Sequence, residues 1–219
     1  MKVTSRPRGE AGDFAFTPEN QAQAKLIVAR YPAGRQASAV VPLLDLAQRQ
    51  NGGWLPRAAI EYVANTLDMA PIRVHEVATF YSMFNLRPVG KHLIQICRTT
   101  PCWLRGAGDL TRLCREKLGV ALRENTANGL FTVVEVECLG ACANAPMAQI
   151  NDDYYEDLTT ETLAKIIDDL TAGRTVTPGS QAGRKGSAPA GGAKTLTKVP
   201  ARAPGQAKIG ASDESVGKA

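Results

Sequence analysis

The sequence predicts an α+β protein in three parts: an N-terminal helical bundle, a small α/β domain and a disordered C-terminal tail. Three observations carry this. Apolar residues recur at helical spacing through residues 17–85. They change to short strand-like runs at 92–97 and 131–138. From about Gly173 onward Gly, Ala, Pro, Ser, Thr and Lys dominate, with almost nothing apolar to offset the entropy of ordering a chain. The divisions that follow are a flexible start at 1–16, the bundle at 17–88, the α/β domain at 89–172 and a basic Ala/Gly/Pro/Lys-rich tail at 173–219.

Each element has a local reason. The first helix opens at "FTPEN", with Thr17 as N-cap, Pro18 at the first helical position and Glu19 in the first turn; Ala22, Leu26 and Ile27 are expected on its inner stripe. A second helix runs from about Ala37 to Gln50 on Val40, Leu43, Leu44 and Ala47, and "NGG" at 51–53 ends it. The third starts at Pro56 with Ile60, Val63, Ala64 and Leu67 inward. A fourth starts at Pro71 with Val74, Val77, Ala78, Tyr81 and Phe84 inward. "RPVG" at 87–90 reads as a hinge. After it the order is strand "HLIQIC", helix "GDLTRLCREKLG", strand "FTVVEVEC", a hairpin of "MAQIN" and "YYEDL" about Asp152–Asp153, and a last helix at 159–172. That helix opens on a capping box of Thr159 or Thr160 with an acidic partner.

Charge excludes one class of function. The net charge of +5 resides in the tail, where eight Lys and Arg after Gly173 face only Asp213 and Glu214; residues 1–173 carry −1. No basic face for nucleic acid is expected. No run reaches the roughly 18 apolar residues of a membrane span, and residues 1–20 lack a secretory core. A cytoplasmic chain is the simplest expectation, and in that compartment closely spaced cysteines hold metal or do redox chemistry rather than form disulfides.

Four of the five cysteines form two pairs, Cys97-x4-Cys102 and Cys138-x3-Cys142, each at the end of an expected strand, with 35 residues between the pairs. If the strands are neighbours, four thiolates converge. Such a set suits tetrahedral zinc or a two-iron cluster. The wide x4 and x3 loops favour the two-iron cluster, because they can aim backbone N–H groups at its sulfides; zinc and thiol chemistry stay open at this point. Gly140 is expected to bend the second loop through a positive φ. Cys114 lies on the apolar stripe of its helix and reads as a buried structural thiol. His75 and His92 stand apart from both pairs and read as packing or surface residues. The aromatic run "VATFYSMF" reads first as helix core, and secondarily as a docking stripe.

These residues also carry a resemblance. "CRTTPCWLRGAGDL" and "VECLGACANAPMAQINDDYYEDLT" resemble the thioredoxin-like [2Fe–2S] subunits of the NADH-oxidising module of respiratory complex I: the E subunit of NADH-quinone oxidoreductase in bacteria, the smaller flavoprotein subunit in mitochondria. "FTPENQAQAKLIVARYP", "VVPLLDLAQRQNGGWLP" and "VHEVATFYSMFNLRPVGK" are similar to the family's helical part, so the likeness runs from about Phe16 to Leu170. Trp103, the run "RGAGDL" and the basic tail depart from it.

The resemblance implies a thioredoxin-like fold for the α/β domain and one [2Fe–2S] cluster, with Cys97 and Cys102 on one iron and Cys138 and Cys142 on the other. It further implies a cis-proline at Pro146, and FMN and NADH held by a partner subunit. The chain would be a one-electron carrier, a subunit of an NADH:quinone oxidoreductase (a translocase) with no complete catalytic site of its own. It would lie among other complex I subunits on the inner face of the bacterial inner membrane, or on the matrix side in mitochondria. In agreement, no G-x-G-x-x-G stands between a strand and a helix to bind a dinucleotide. Related alternatives are the equivalent subunit of an NAD-dependent hydrogenase or formate dehydrogenase, and a zinc-stabilised adaptor. A thiol–disulfide oxidoreductase wants C-x-x-C, which is absent.

Overall fold

The computed structural model describes residues 13–188 together with Gly191, Gly192 and Thr195. Expectations placed on residues 1–12, and on the tail beyond 188 other than those three residues, lie outside the described part.

The N-terminal half consists of α1 (Pro18–Val28), α2 (Val40–Gln50), α3 (Arg57–Thr66) and α4 (Pro71–Phe80), with a 3-10 turn, Gln36–Ala39, leading into α2. Thr17 caps α1 by accepting the N–H of Asn20 at 3.3 Å. Gly52 and Gly53, at φ +70° and +93°, carry the turn that ends α2. Leu43, Leu44, Ala47, Val63, Ala64 and Val74 are fully buried in one apolar cluster.

Two expectations fail here. On α1, Ala24 and Ile27 are the buried residues, whereas Leu26 is 63% exposed and Ala22 also faces out. A short helix touching the bundle on one narrow stripe has room for only one residue per turn. On the fourth stripe, Tyr81 is exposed, because α4 stops at Phe80 and Tyr81 turns to extended backbone (φ −85°, ψ 116°). The start of the chain also departs from free flexibility. Phe14 and Phe16 stack edge-on with Tyr62 at 5.6 and 5.2 Å, and the Ala15 carbonyl accepts Gln50 Nε2 at 2.8 Å.

The second half is a five-stranded sheet in the order β2-β1-β3-β4-β5. Its strands are β1 (His92–Cys97), β2 (Phe131–Val136), β3 (Ala148–Ile150), β4 (Asp153–Glu156) and β5 (Gly179–Ser180). β1 lies parallel to β2, with His92 opposite Phe131 and Cys97 opposite Val136, and antiparallel to β3. The parallel pair requires a crossover, made by α5 (Thr100–Leu104) and α6 (Ala107–Leu118); α7 (Thr160–Thr171) lies beside α6. Ile94 and Ile96 of β1, Leu110 of α6, Phe131 of β2 and Leu163 and Ile167 of α7 form the second core. β3 and β4 make the expected hairpin, with its turn at Asn151–Asp152, one residue earlier than anticipated, since Asp153 already pairs with Ile150. Asn151 adopts φ +55°, a conformation that asparagine tolerates. Thr159 caps α7 through a capping box, but its partner is Thr162 and not an acidic residue.

The connection 87–90 is packed and does not act as a free hinge. Gly90 is buried and donates its N–H to Thr132 Oγ1 at 2.6 Å. A second tie joins the halves: Arg49 grips Asp152 of the hairpin turn with both terminal nitrogens at 2.9 Å, while its Nε holds Asp45.

The expected disorder from Gly173 does not hold for residues 173–188. Gly179 and Ser180 pair with Tyr155 and Glu156, so this segment adds an edge strand. Composition misjudged it because its anchors are polar: Gln181 donates its N–H to the Glu156 carbonyl at 2.9 Å, and Arg184 pairs with Asp157.

Candidate metal centre

Adjacent parallel strands deliver the two cysteine pairs to one end of the sheet. Cys97 is the last residue of β1, and Cys102 sits on α5, one short turn later. That helix is possible because Thr99 is extended (φ −75°, ψ 169°) and Pro101 occupies its first turn. Cys138 departs from expectation in a small way. β2 ends at Val136, so Cys138 stands two residues beyond it, in an exposed loop. Gly140 then turns that loop at φ +88°, as anticipated, and a 3-10 turn (Cys142–Asn144) carries Cys142. The loop is held from both sides. Tyr154 Oη donates to the Leu139 carbonyl at 2.8 Å, and the Ala145–Pro146 peptide that closes it is cis, with Pro146 buried.

The four sulfurs form two contacting pairs with a hydroxyl between them. Cys138 Sγ lies 3.5 Å from Cys142 Sγ, and the Cys97 thiol neighbours that of Cys102. Thr99 Oγ1 is 3.4 Å from Cys97 Sγ and also reaches Cys138. Within each pair the protons are unequally held. Burial opposes ionisation of Cys97, but the Thr99 hydroxyl and the backbone N–H groups of Leu139 and Thr99 bring its pKa below the ordinary thiol value. Burial and the neighbouring Cys97 push Cys102 up to about 12. In the exposed pair, the Gly140 N–H and the Cys142 thiol lower Cys138, while bonding to Cys138 raises Cys142. In each pair, therefore, one sulfur has its thiolate form favoured by backbone N–H groups directed at it.

Four thiols in two pairs at one end of the sheet are a donor set of the kind that a two-iron cluster takes. All five cysteines are free thiols. Among the described residues no group of three or more His, Cys, Asp or Glu side chains is gathered as a ready metal site.

The remaining candidates fall elsewhere. Cys114 is fully buried on α6, and burial raises its pKa to about 12, as fits a structural thiol. His75 is exposed on α4; His92 packs on Phe131 at 5.3 Å at the opposite end of β1 from Cys97. Sequence reasoning missed Thr99, Tyr154, Asn144 and Arg184. Only Thr99 had a signal, its place inside the first cysteine loop. A cleft of about 760 Å³ runs between the bundle and the sheet, from Arg49 and Met83 past Gln95 to Cys138 and Leu139, so Cys138 lines its end.

Comparison with known proteins shows the family. Residues 24–171 match the family model described as thioredoxin-like [2Fe-2S] ferredoxin. The E subunit of the NADH-quinone oxidoreductase of Rickettsia conorii is 61% identical over 158 residues, covering 72% of this chain and 95% of that protein. The mitochondrial NADH dehydrogenase [ubiquinone] flavoprotein 2 of Dictyostelium discoideum is 44% identical over 198 residues, covering 90% and 80%. An NAD+-reducing [NiFe]-hydrogenase chain superposes with a TM-score of 0.53 at 21% identity, over 59% of this chain and 23% of that one, which is a likeness of fold alone. Four free cysteines at one end of such a sheet, and a family match that spans both halves, place this chain in the thioredoxin-like [2Fe–2S] ferredoxin family.

Proposed function

We propose that the chain is the [2Fe–2S] electron-carrier subunit of an NADH-quinone oxidoreductase. The observation that carries this is the placement of two thiol pairs, Cys97 with Cys102 and Cys138 with Cys142, at one end of the sheet, in a chain 61% identical to a subunit of such an enzyme over nearly that subunit's whole length. Bound there, a [2Fe–2S] cluster supplies a one-electron couple. The chain's own residues do the rest. Cys97 and Cys102 hold one side from within the core, while Cys138 and Cys142 hold the other at the surface. The N–H groups of Leu139 and Gly140, with the Thr99 hydroxyl, supply hydrogen bonds to sulfur that stabilise added negative charge. A centre held by these residues would have its open side at Cys138 and Cys142.

The partner in this reading is a subunit that carries FMN and NADH, together with other subunits of the same complex, on the inner face of the membrane. Among the described residues no helix is long and apolar enough to cross a membrane. Residues 17–88 act as the docking unit and 89–172 as the carrier. Support for docking comes from the end of α4, where Phe80 is 79% exposed beside Tyr81, Met83 and Leu86. Such a contiguous apolar strip marks an interaction surface.

Iron and acid-labile sulfide per chain, with EPR after reduction, test the cluster: two irons and a paramagnetic reduced state are expected, and one zinc with no signal would refute the proposal. Cys138→Ala should lose the centre. Co-purification with the flavin subunit should fail for a Phe80→Glu, Met83→Glu double variant that keeps its iron; retained association would refute the docking assignment.

A further inference from the structure

Beyond α7, and beyond residue 171 where the family match ends, the chain returns across the ligand end of the sheet. At the end of β5, the Ser180 hydroxyl binds Asp157 Oδ2 at 2.5 Å and accepts the Arg184 N–H at 3.1 Å, which turns the Arg184 side chain inward. Its guanidinium is then shared between two jobs. Nε and Nη2 hold Asp157 at 3.0 and 2.8 Å, and Nη2 also donates to the Ala143 carbonyl at 2.7 Å, in the turn that carries Cys142. At 17% and 15% exposure, Arg184 and Asp157 form the best-covered ion pair among the described residues. One residue along that turn, Asn144 is 2% exposed, and its Nδ2 donates to Glu156 Oε2 at 2.6 Å and to the Gly186 carbonyl at 2.7 Å. The Asp157 N–H closes the set on the Asn144 carbonyl at 2.8 Å.

Tyr154 and the buried Pro146 fix the two ends of this loop, and the contacts from residues 179–186 hold its middle. Cys142 and Ala143 are exposed, and the chain before them bends at a glycine. A site that needs four sulfurs to converge is sensitive to freedom in its outermost ligand loop. We infer that residues 179–186 are a clamp for the Cys142 loop, with Arg184 and Asn144 as its positioning residues; what the loop holds rests on the [2Fe–2S] reading above. Arg184 is neutralised by Asp157, so it acts through the fixed fork of its guanidinium and not through net charge. A lysine has the charge but cannot hold a carboxylate with two nitrogens while reaching a carbonyl.

The test uses the full chain as wild type, Arg184→Gln and Arg184→Lys, reading iron loss to a chelator and amide hydrogen exchange site by site. Arg184→Gln is expected to lose iron about 10–100-fold faster, the usual effect of removing a residue that supports a metal ligand. The Asn144 and Ala145 amides should exchange faster, with those of β1 and α6 unchanged, and Arg184→Lys should resemble Arg184→Gln. Wild-type behaviour of Arg184→Gln in both readouts would overturn the clamp; so would faster iron loss with unchanged exchange at 144 and 145, or full rescue by lysine. Wild-type protein that binds no iron and sulfide would instead refute the cluster reading, and exchange at 144 and 145 in the metal-free chains would still decide the clamp.

Discussion

Replacing Gly90 by alanine should loosen the site from the far end of its strands. Gly90 precedes β1 and crosses the start of β2 at such close range that a Cβ would stand 2.6 Å from the Phe131 carbonyl carbon, 2.7 Å from its nitrogen and 2.9 Å from the Leu130 carbonyl carbon. Ordinary contact begins near 3.4 Å, so the strands must separate by about 0.8 Å, and every clashing atom is backbone. That movement opposes the Gly90 bond to Thr132 and the first rungs, where Lys91 and His92 donate to the Gly129 and Leu130 carbonyls at 3.0 and 2.7 Å. Overpacking of this kind costs about 1–3 kcal/mol, and at this chain length each kcal/mol lowers Tm by roughly 2–4 °C. A fall of about 2–12 °C is expected in thermal unfolding followed by circular dichroism. Gly108→Ala is the control: nothing lies within 4 Å of its Cβ position on α6, and helix propensity favours alanine. The reasoning is refuted if Gly90→Ala melts within about 1 °C of wild type.

Three further outcomes are expected. Thr99→Val removes the hydroxyl shared by Cys97 and Cys138; if that bond contributes about 1 kcal/mol more to the reduced state, the midpoint potential falls by roughly 40 mV in redox titration, and an unchanged potential would exclude the role. Cys114→Ala should retain iron at a cost of ~1 kcal/mol, and the native Cys114 thiol, pushed up to about 12 by burial, should resist alkylation at about pH 8 until the protein unfolds. For Asp157, burial opposes ionisation, but Arg184 and Ser180 outweigh it and hold the carboxyl below its ordinary value. Its stabilising effect is therefore complete above the unfolded carboxyl's pKa of about 4 and is lost as pH falls through the lower folded value; Asp157→Asn should flatten stability-versus-pH curves in that acid window, and an unaltered curve would contradict the assignment.

How much was legible depended on the range over which each feature is determined. Thr17, "NGG" and the alternation of "HLIQIC" act within a few residues, and each formed what its local chemistry required. Burial within a short helix was less legible. The stripe on α1 could be placed only by what touches it, and Leu26 lost that place to Ala24. The turn at 87–90 looked mobile because proline and glycine punctuate loops. In the structure Gly90 is present because another strand's backbone occupies the space of a Cβ.

The sequence by itself determined the two cysteine pairs, the strands that lead to them, the helices of the bundle and the neutral charge of residues 1–173, because spacing and period are local quantities. Only the tertiary structure decided that Cys97 and Cys102 are buried while Cys138 and Cys142 are exposed, that Thr99 links the pairs, and that Arg49 ties the bundle to the hairpin. It also decided that the segment after α7 grips the Cys142 loop. Those contacts join polar groups distant in the chain, Arg184 with Ala143 and Arg49 with Asp152. A hydrogen bond between remote residues leaves no periodic trace in either of the segments it joins.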